Sequence, residues 1–323
     1  MFIIAQLIGL FVIHTYSPEA VPVFNETSGT YDIIIISPDL KVGPFDFTPP
    51  ELKTEFEFWL VLPQILIAFV LAIFLVLLFS KIKAKLLIRL WFFIVYLLGL
   101  SIVFNAFFKD ILPYSSYLVI LIALPLVFIK VFRQEIIVHN LTELLIYPGI
   151  AVILVQILNI WTAIIILILI SIYDIWAVWH TGFMQKMAKF QINEVKVFAG
   201  FFIPYVSKKV KEQLKKLPKS KLKKKKIRVN LAILGGGDVI FPIITAGVIL
   251  MGAATNKLPS FFAEFATPFL GIPGLATALL VSLGATLAVL YLFLFAEKGK
   301  AYPAMPYITI GIFAAMILAK LIF

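Results

Sequence analysis

The sequence predicts an all-α polytopic membrane protein that crosses the bilayer with nine helices. Its composition is 62% hydrophobic and only 14% charged, whereas soluble domains carry about 25% charged residues. Apolar runs recur from Phe58 to the C-terminus, and each is long enough to cross a hydrocarbon core about 30 Å thick. We therefore expect one membrane-embedded domain over residues 1–323, without a sizeable soluble domain.

The first predicted span is short, and eight longer ones follow it. We interpret Met1–Ile13 as a short helix that is tilted or that thins the bilayer locally. An acidic extracytoplasmic loop, 14–57, comes next, and its β-branched segment Tyr31–Ser37 favours a strand. The longer spans are predicted at 58–80, 87–108, 112–129, 136–157, 160–182, 229–255, 270–296 and 301–322.

Basic residues accumulate in every second loop. The largest basic loop, 183–228, holds fifteen Lys or Arg between Lys186 and Arg228. Basic loops face the cytoplasm, so we expect a protein of the cell membrane with a cytoplasmic N-terminus and an extracytoplasmic C-terminus. We interpret this long linker, which runs from Thr181 to Asn230 and includes the lysine-dense segment Lys208–Lys226, as a solvated tether that is attracted to anionic lipid head groups. The net charge of +11 then needs no nucleic-acid partner.

Several kinds of chemistry are excluded by the residues that are absent. The chain has no cysteine, so it has no disulfide, no thiolate metal ligand and no thiol nucleophile. Its three histidines are scattered outside any H-E-x-x-H pattern, and no G-x-S-x-G sequence occurs. We expect neither a metal site nor a cofactor.

We identify only two acids deep within the predicted spans, Asp174 and Asp238. An intramembrane carboxylate costs at least about 2.5 kcal/mol on insertion scales, so each marks a candidate functional site. With a helical rise of about 1.5 Å per residue, Asp174 lies about 18 Å from Lys186 and Asp238 about 15 Å from Arg228. These similar depths predict that the two carboxyl groups meet.

Two adjacent carboxyl groups in a low-dielectric environment share one proton. The ionised group can then activate a water molecule while the protonated group donates to a peptide carbonyl, as in aspartic proteases. Gly235, Gly236 and Gly237 lack side chains, so we expect them to let a substrate backbone approach Asp238. Pro242 is expected to weaken the helix beside that acid.

Three short motifs carry a family resemblance. Tyr173-Asp174 and the Gly-Gly-Gly-Asp sequence at 235–238 resemble the Y-D and G-x-G-D motifs of the presenilin and signal-peptide-peptidase family. Pro303-Ala304-Met305 resembles the third motif, Pro-Ala-Leu, with methionine in place of leucine. The motifs occur in the family's order, and the resemblance, which looks like that of an archaeal presenilin homologue, covers the whole chain.

The resemblance implies a nine-helix protease that cuts membrane-spanning segments of single-span proteins, with Asp174 and Asp238 as the catalytic pair. It also implies that Pro303, Ala304 and Met305 help to position the substrate, with backbone groups that are free to pair with it. Tyr173 is predicted to belong to the substrate-binding residues and either to hydrogen-bond to the pair or to pack beside it, with plain helix packing as the alternative. The orientation resembles that of presenilin, which implies substrates whose N-termini lie outside.

Two other functions remain open at this point. A prepilin or preflagellin peptidase also uses a G-x-G-D aspartate, although such peptidases have fewer spans. A cation or proton channel or transporter also places paired acids in the membrane. A prepilin or preflagellin peptidase would lack the motifs at Tyr173 and Pro303. A channel or transporter would conduct ions without cleaving peptide bonds.

Overall fold

The computed structural model of the protein describes eleven stretches of the chain. They are residues 1–25, 30–36, 38–48, 55–81, 84–109, 111, 115–133, 135–180, 182–205, 230–297 and 300–323. Within them, eight helices have the length and apolar composition to cross a membrane. This confirms the helical multi-span architecture. The count of nine stays a prediction, because the additional apolar helix has only 14 residues.

In the part of the chain that the structure describes, ten α-helices form the body of the protein. They are α1 Phe2–Thr15, α2 Glu55–Lys81, α3 Lys85–Phe108, α4 Ser115–Phe128, α5 Ile136–Val155, α6 Ile160–Ile175, α7 Phe183–Phe190, α8 Gly236–Ala254, α9 Leu275–Phe295 and α10 Ala304–Ile322. Single π-helical turns, Ile129–Arg133 and Trp176–His180, extend α4 and α6. A 3-10 helix, Ser260–Ala266, lies between α8 and α9.

Among the described residues, six strands form three two-stranded antiparallel sheets. The strands are β1 Glu19–Asn25, β2 Thr30–Ile36, β3 Lys41–Val42, β4 Phe45–Asp46, β5 Gly200–Tyr205 and β6 Asn230–Gly235. They pair as β1–β2, β3–β4 and β5–β6. The prediction of a strand at Tyr31–Ser37 is confirmed over Thr30–Ile36, and Ser37 lies outside the described residues.

The centre of the bundle is formed by α1, α5 and α8. Helix α1 packs against both of the others, and small residues allow close approach of the helices. A Cβ atom added at Gly247 of α8 would lie 2.8 Å from Val155. Helix α2 lies at the periphery, and its most apolar 18-residue window contains no buried residue. The interior of the fold is therefore built around the short first helix.

The seventh predicted span, 229–255, is wrong in its first part. Its residues Asn230–Gly235 form strand β6, and helix α8 begins only at Gly236. A short apolar run without a clear period fits a strand or a buried helix equally well. The depth of about 15 Å for Asp238 assumed a helical rise, so it does not hold for a strand, which rises about 3.3 Å per residue.

Two other helices start later than predicted, each because of its first residues. Helix α9 begins at Leu275 rather than at 270, since Gly271 and Gly274 adopt left-handed φ values of 78° and 75°. Helix α10 begins at Ala304 rather than at 301. The residue before it, Pro303, has an extended backbone with φ −69° and ψ 113°.

The loop predicted at 183–228 is folded in its first part. Residues 183–205 contain α7, a π-helical turn and strand β5, so the interpretation of the whole loop as a tether is wrong for this segment. Lys208–Lys226 lies outside the described residues.

Candidate active site

Asp174 lies in the last turn of α6 and is 5% exposed. Its Oδ2 accepts a hydrogen bond of 3.0 Å from the backbone N–H of Met305, in the first turn of α10. The first N–H groups of a helix have no partner within the helix. The extended backbone of Pro303 makes α10 begin at Ala304, beside Asp174. The carboxyl group of Asp174 therefore accepts one of these free N–H donors.

Asp238 lies in the first turn of α8 and is partly exposed. Its Oδ2 accepts a hydrogen bond of 3.2 Å from the backbone N–H of Gly235, the residue that precedes the helix. Glycine tolerates the close approach, since a Cβ atom there would lie 3.1 Å from the same oxygen. Asp238 therefore caps its own helix, as acids in the first turn commonly do.

Both carboxyl groups thus lie at the N-terminus of a helix, that of Asp174 at the N-terminus of α10 and that of Asp238 at the N-terminus of α8. The partial positive charge at a helix N-terminus stabilises a nearby negative charge. Helix α6, which carries Asp174, packs against both α8, which carries Asp238, and α10. Each helix N-terminus can therefore stabilise one negative charge, and two carboxylates placed close together would repel each other.

A second polar contact between α6 and α10 lies one helical turn from Asp174. The hydroxyl groups of Ser171 and Thr309 lie 2.8 Å apart, one turn before Asp174 and one turn after Met305. The sequence analysis missed this pair. The only sequence signal is a hydroxyl residue one helical turn from each motif, on the same helix face.

The three glycines before Asp238 have different surroundings. A Cβ atom at Gly236 would lie 2.9 Å from the Tyr147 ring, whereas one at Gly237 would make an ordinary contact of 3.6 Å with Phe241. The close approach at Gly236 is therefore to helix α5. Gly237 is exposed. A role of all three in substrate approach stays a prediction.

Helix α8 is also fixed from α1, immediately after Asp238. The buried side chain of Gln6 donates a hydrogen bond of 3.1 Å to the carbonyl of Val239. Pro242 lacks the N–H that would pair with the carbonyl of Asp238 in a regular helix. Gln6 is a further residue that the sequence analysis missed, although an amide within an apolar span is itself a signal.

The remaining predicted residues surround Asp174. The ring of Tyr173 packs edge-to-face on Phe69 of α2 at 5.6 Å and lies 6.3 Å from that of Trp176. Pro303, Ala304 and Met305 are buried. The N–H of Met305 is not free for a substrate, contrary to the expectation for this segment, because Asp174 accepts it. Substrate binding by these four residues stays a prediction.

The statement that only two acids lie deep within spans is wrong. Glu143 of α5 is fully buried and pairs with Lys130 at 2.5 Å. Glu143 lies seven residues after Ile136, well inside the predicted span 136–157, so the sequence already contained this signal. Among the residues that the structure describes, no group of three or more His, Asp or Glu is arranged to hold a metal ion.

The fold has counterparts among solved structures. Two crystal forms of a presenilin family intramembrane aspartate protease, C222 and P2, superpose with TM-scores of 0.55 and 0.52. Both are 15% identical to this chain and cover all of it, and this chain covers 97% and 96% of theirs. A comparison with curated proteins finds no match.

The geometry defines a class of protein, one with two carboxyl groups at the N-termini of membrane-spanning helices that pack together. The family model of signal-peptide peptidase, presenilin aspartyl protease, matches residues 59–323, most of the chain. The chain therefore belongs to this family and is an intramembrane aspartyl protease.

Proposed function

We propose that Asp174 and Asp238 are the catalytic pair and that they cleave peptide bonds within membrane-spanning segments. The observation that supports this proposal is that the carboxyl groups accept N–H groups at the N-termini of α8 and α10, two helices that pack against each other and against α6. One aspartate is ionised and takes a proton from water as the water oxygen attacks the scissile carbonyl carbon. The other donates its proton to the carbonyl oxygen. The C–N bond then breaks as the leaving nitrogen accepts a proton from the pair.

A substrate must be extended at the bond that is cut, because an α-helix pairs its own peptide groups. The edge of sheet β5–β6 suits such a segment. Phe202 of β5 lies opposite Ile233 of β6, and its N–H and C=O bond to the side chain of Asn140, away from β6. By the alternation of an antiparallel pair, the N–H and C=O of Ile233 point toward the outer edge of β6. A substrate strand added there would lie two residues from Gly235.

The first test combines cleavage with its pH dependence. We expect the purified protein in lipid bilayers to cut a single-span substrate into two fragments that mass spectrometry identifies. Because the pair works with one proton, the rate should rise and then fall as the pH increases. Ion flux without fragments, or a rate that is flat across the range in which the protein stays folded, would contradict the proposal.

The orientation of the substrate follows from the basic loops, which we propose to be cytoplasmic. The C-terminal side of α6 and the N-terminal sides of α8 and α10, where the aspartates lie, then face the cytoplasm. The approach of water and of the acid to one peptide carbonyl has a fixed direction, so the site distinguishes the two orientations of a span. We propose that it prefers single-span substrates whose N-terminus is outside.

Two reporters that carry the same span in opposite orientations test this preference. We expect the reporter with its N-terminus outside to be cleaved at least about tenfold faster, which corresponds to about 1.4 kcal/mol. Protease protection of a tag inserted between Lys208 and Lys226 provides the control for topology. Equal cleavage of both reporters would refute the preference, and a tag exposed outside would refute the orientation.

A further inference from the structure

The outer edge of strand β5 is fastened to helix α5 by two neighbouring side chains. The amide of Asn140 donates to the carbonyl of Phe202 at 2.8 Å and accepts from its N–H at 3.0 Å. The imidazole Nε2 of His139 lies 2.8 Å from the carbonyl oxygen of Gly200. A carbonyl oxygen only accepts, so Nε2 carries the proton.

The segment that leads into β5 is fastened in the same way to helix α3. Arg89 Nε donates to the carbonyl of Val195 at 2.6 Å, and the hydroxyl of Tyr96 donates to the carbonyl of Phe198 at 3.3 Å. Together with the α5 side chains, they bond to four carbonyl groups between residues 195 and 202. A two-stranded sheet alone is only marginally stable, so these bonds account for the placement of β5.

A buried ion pair determines the protonation of His139. Lys130 Nζ lies 2.5 Å from Glu143 Oε1 and 3.3 Å from His139 Nδ1, and the side chains of the pair are 1% and 0% exposed. An ammonium group only donates, so Nδ1 must accept. His139 is therefore neutral, with its proton on Nε2, which is the tautomer that bonds to Gly200.

Strand β5 connects this cluster to the candidate active site. Gly200 lies directly opposite Gly235 in the register of β5 and β6, and the N–H of Gly235 donates to Asp238. His139 and Asp238 are thus connected through two residues: His139 bonds to Gly200 of β5, and Gly235 of β6, which lies opposite Gly200, bonds to Asp238. A shift of β5 would move Gly235, the residue that fixes the orientation of that carboxyl group.

We propose that His139 and Asn140 are positioning residues, which hold Asp238 in place through the β5–β6 sheet, and that Lys130 and Glu143 fix the required tautomer of His139. Neither the side chain of His139 nor that of Asn140 touches the reacting atoms. The inference rests on the proposed catalytic role of Asp238. A buried ion pair alone is weak evidence for stability. The pair of Lys130 and Glu143 contacts His139, so we assign it a role in orienting the imidazole ring of His139.

The test uses three substitutions on helix α5. His139→Phe keeps the aromatic shape without either nitrogen, Asn140→Leu removes both bonds to Phe202, and His139→Gln keeps one amide donor and one acceptor. Thr142→Val is the matched control, because the partners of the Thr142 hydroxyl among the described residues are the carbonyl groups of Val138 and His139, both within α5. Asn140→Leu leaves the ion pair intact, so it decides the question if His139→Phe does not fold.

Two measurements are made on each variant. The first is hydrogen exchange of the backbone amides at 199–203 and 232–236, which does not require activity. We expect His139→Phe and Asn140→Leu to exchange about tenfold faster in both strands. The second is cleavage, where we expect kcat to fall about tenfold with a smaller change in KM, since the chemical step depends on Asp238. The variant His139→Gln should restore kcat to within about threefold, and Thr142→Val should change neither quantity.

Unchanged exchange in both strands would overturn the proposal, as would faster exchange with an unchanged kcat. A loss of kcat in His139→Gln as large as that in His139→Phe would also contradict it. If the wild-type protein cleaves no substrate, the proposed function fails, and the exchange measurement still decides whether α5 holds the sheet.

Discussion

Replacement of either Asp174 or Asp238 by asparagine should reduce cleavage by at least about a thousandfold, because an amide can neither take up nor donate the required proton. The substitution isolates the chemistry from the fold. An asparagine oxygen can still accept the N–H of Met305 or of Gly235, so both helix caps are retained. The measurement is the cleavage rate of a single-span substrate by each purified variant.

The control is Glu264→Gln, which changes an acid in the 3-10 helix between α8 and α9. This variant should cleave at the wild-type rate. A thermal unfolding midpoint near that of the wild type would show that the two asparagine variants are folded. Substantial turnover by either of them would remove that aspartate from the catalytic pair.

Substitution of Gly236 by alanine should lower both stability and activity. The added methyl group would lie 2.9 Å from the ring and hydroxyl of Tyr147, a buried residue that cannot move aside freely. Overpacking of this kind costs about 1–3 kcal/mol. Because Gly236 starts the helix turn that carries Asp238, we expect kcat to fall about tenfold or more and the unfolding midpoint to fall by several degrees.

Gly237→Ala is the matched control, since its methyl group meets Phe241 at an ordinary distance of 3.6 Å. Its unfolding midpoint should equal that of the wild type. Equal midpoints for the two alanine variants would show that Tyr147 does not restrict position 236.

The sequence predicted the membrane class and singled out Asp174 and Asp238, because each of these predictions rests on a strong local signal. Long apolar runs are required to span a bilayer, and an acid within such a run is costly unless it has a function. The three motifs added the third partner. The resemblance implied that Met305 helps to position the substrate, and the structure shows a hydrogen bond from its N–H to Asp174.

The local backbone around Asp238 could not be predicted. Residues Asn230–Gly235 are as apolar as the helix that follows, and a strand of six residues leaves no periodic signal to separate them. Its partner strand lies about thirty residues earlier, so the pairing depends on a non-local contact. The helix start at Gly236 follows from that pairing, and with it the position of Asp238 in the first turn.

His139 and Glu143 carried a signal that was not used. They are four residues apart, so they share one face of a helix, and each is polar within an apolar segment. Their partner Lys130 stands on the preceding helix, at a distance that only the packing of α4 on α5 determines. The hydroxyl pair of Ser171 and Thr309 depends in the same way on how α6 meets α10.

The buried pair of Lys130 and Glu143 also bears on how the protein is made. A charged side chain placed alone in the bilayer costs about 3 kcal/mol, and here the two charges stand on consecutive helices. The connection between them is short, since Arg133 ends the extension of α4 and Ile136 begins α5. We expect these helices to leave the insertion machinery together as a hairpin, with the lysine and the glutamate already neutralising each other. The order of synthesis would then protect both charges from lipid before any later helix arrives.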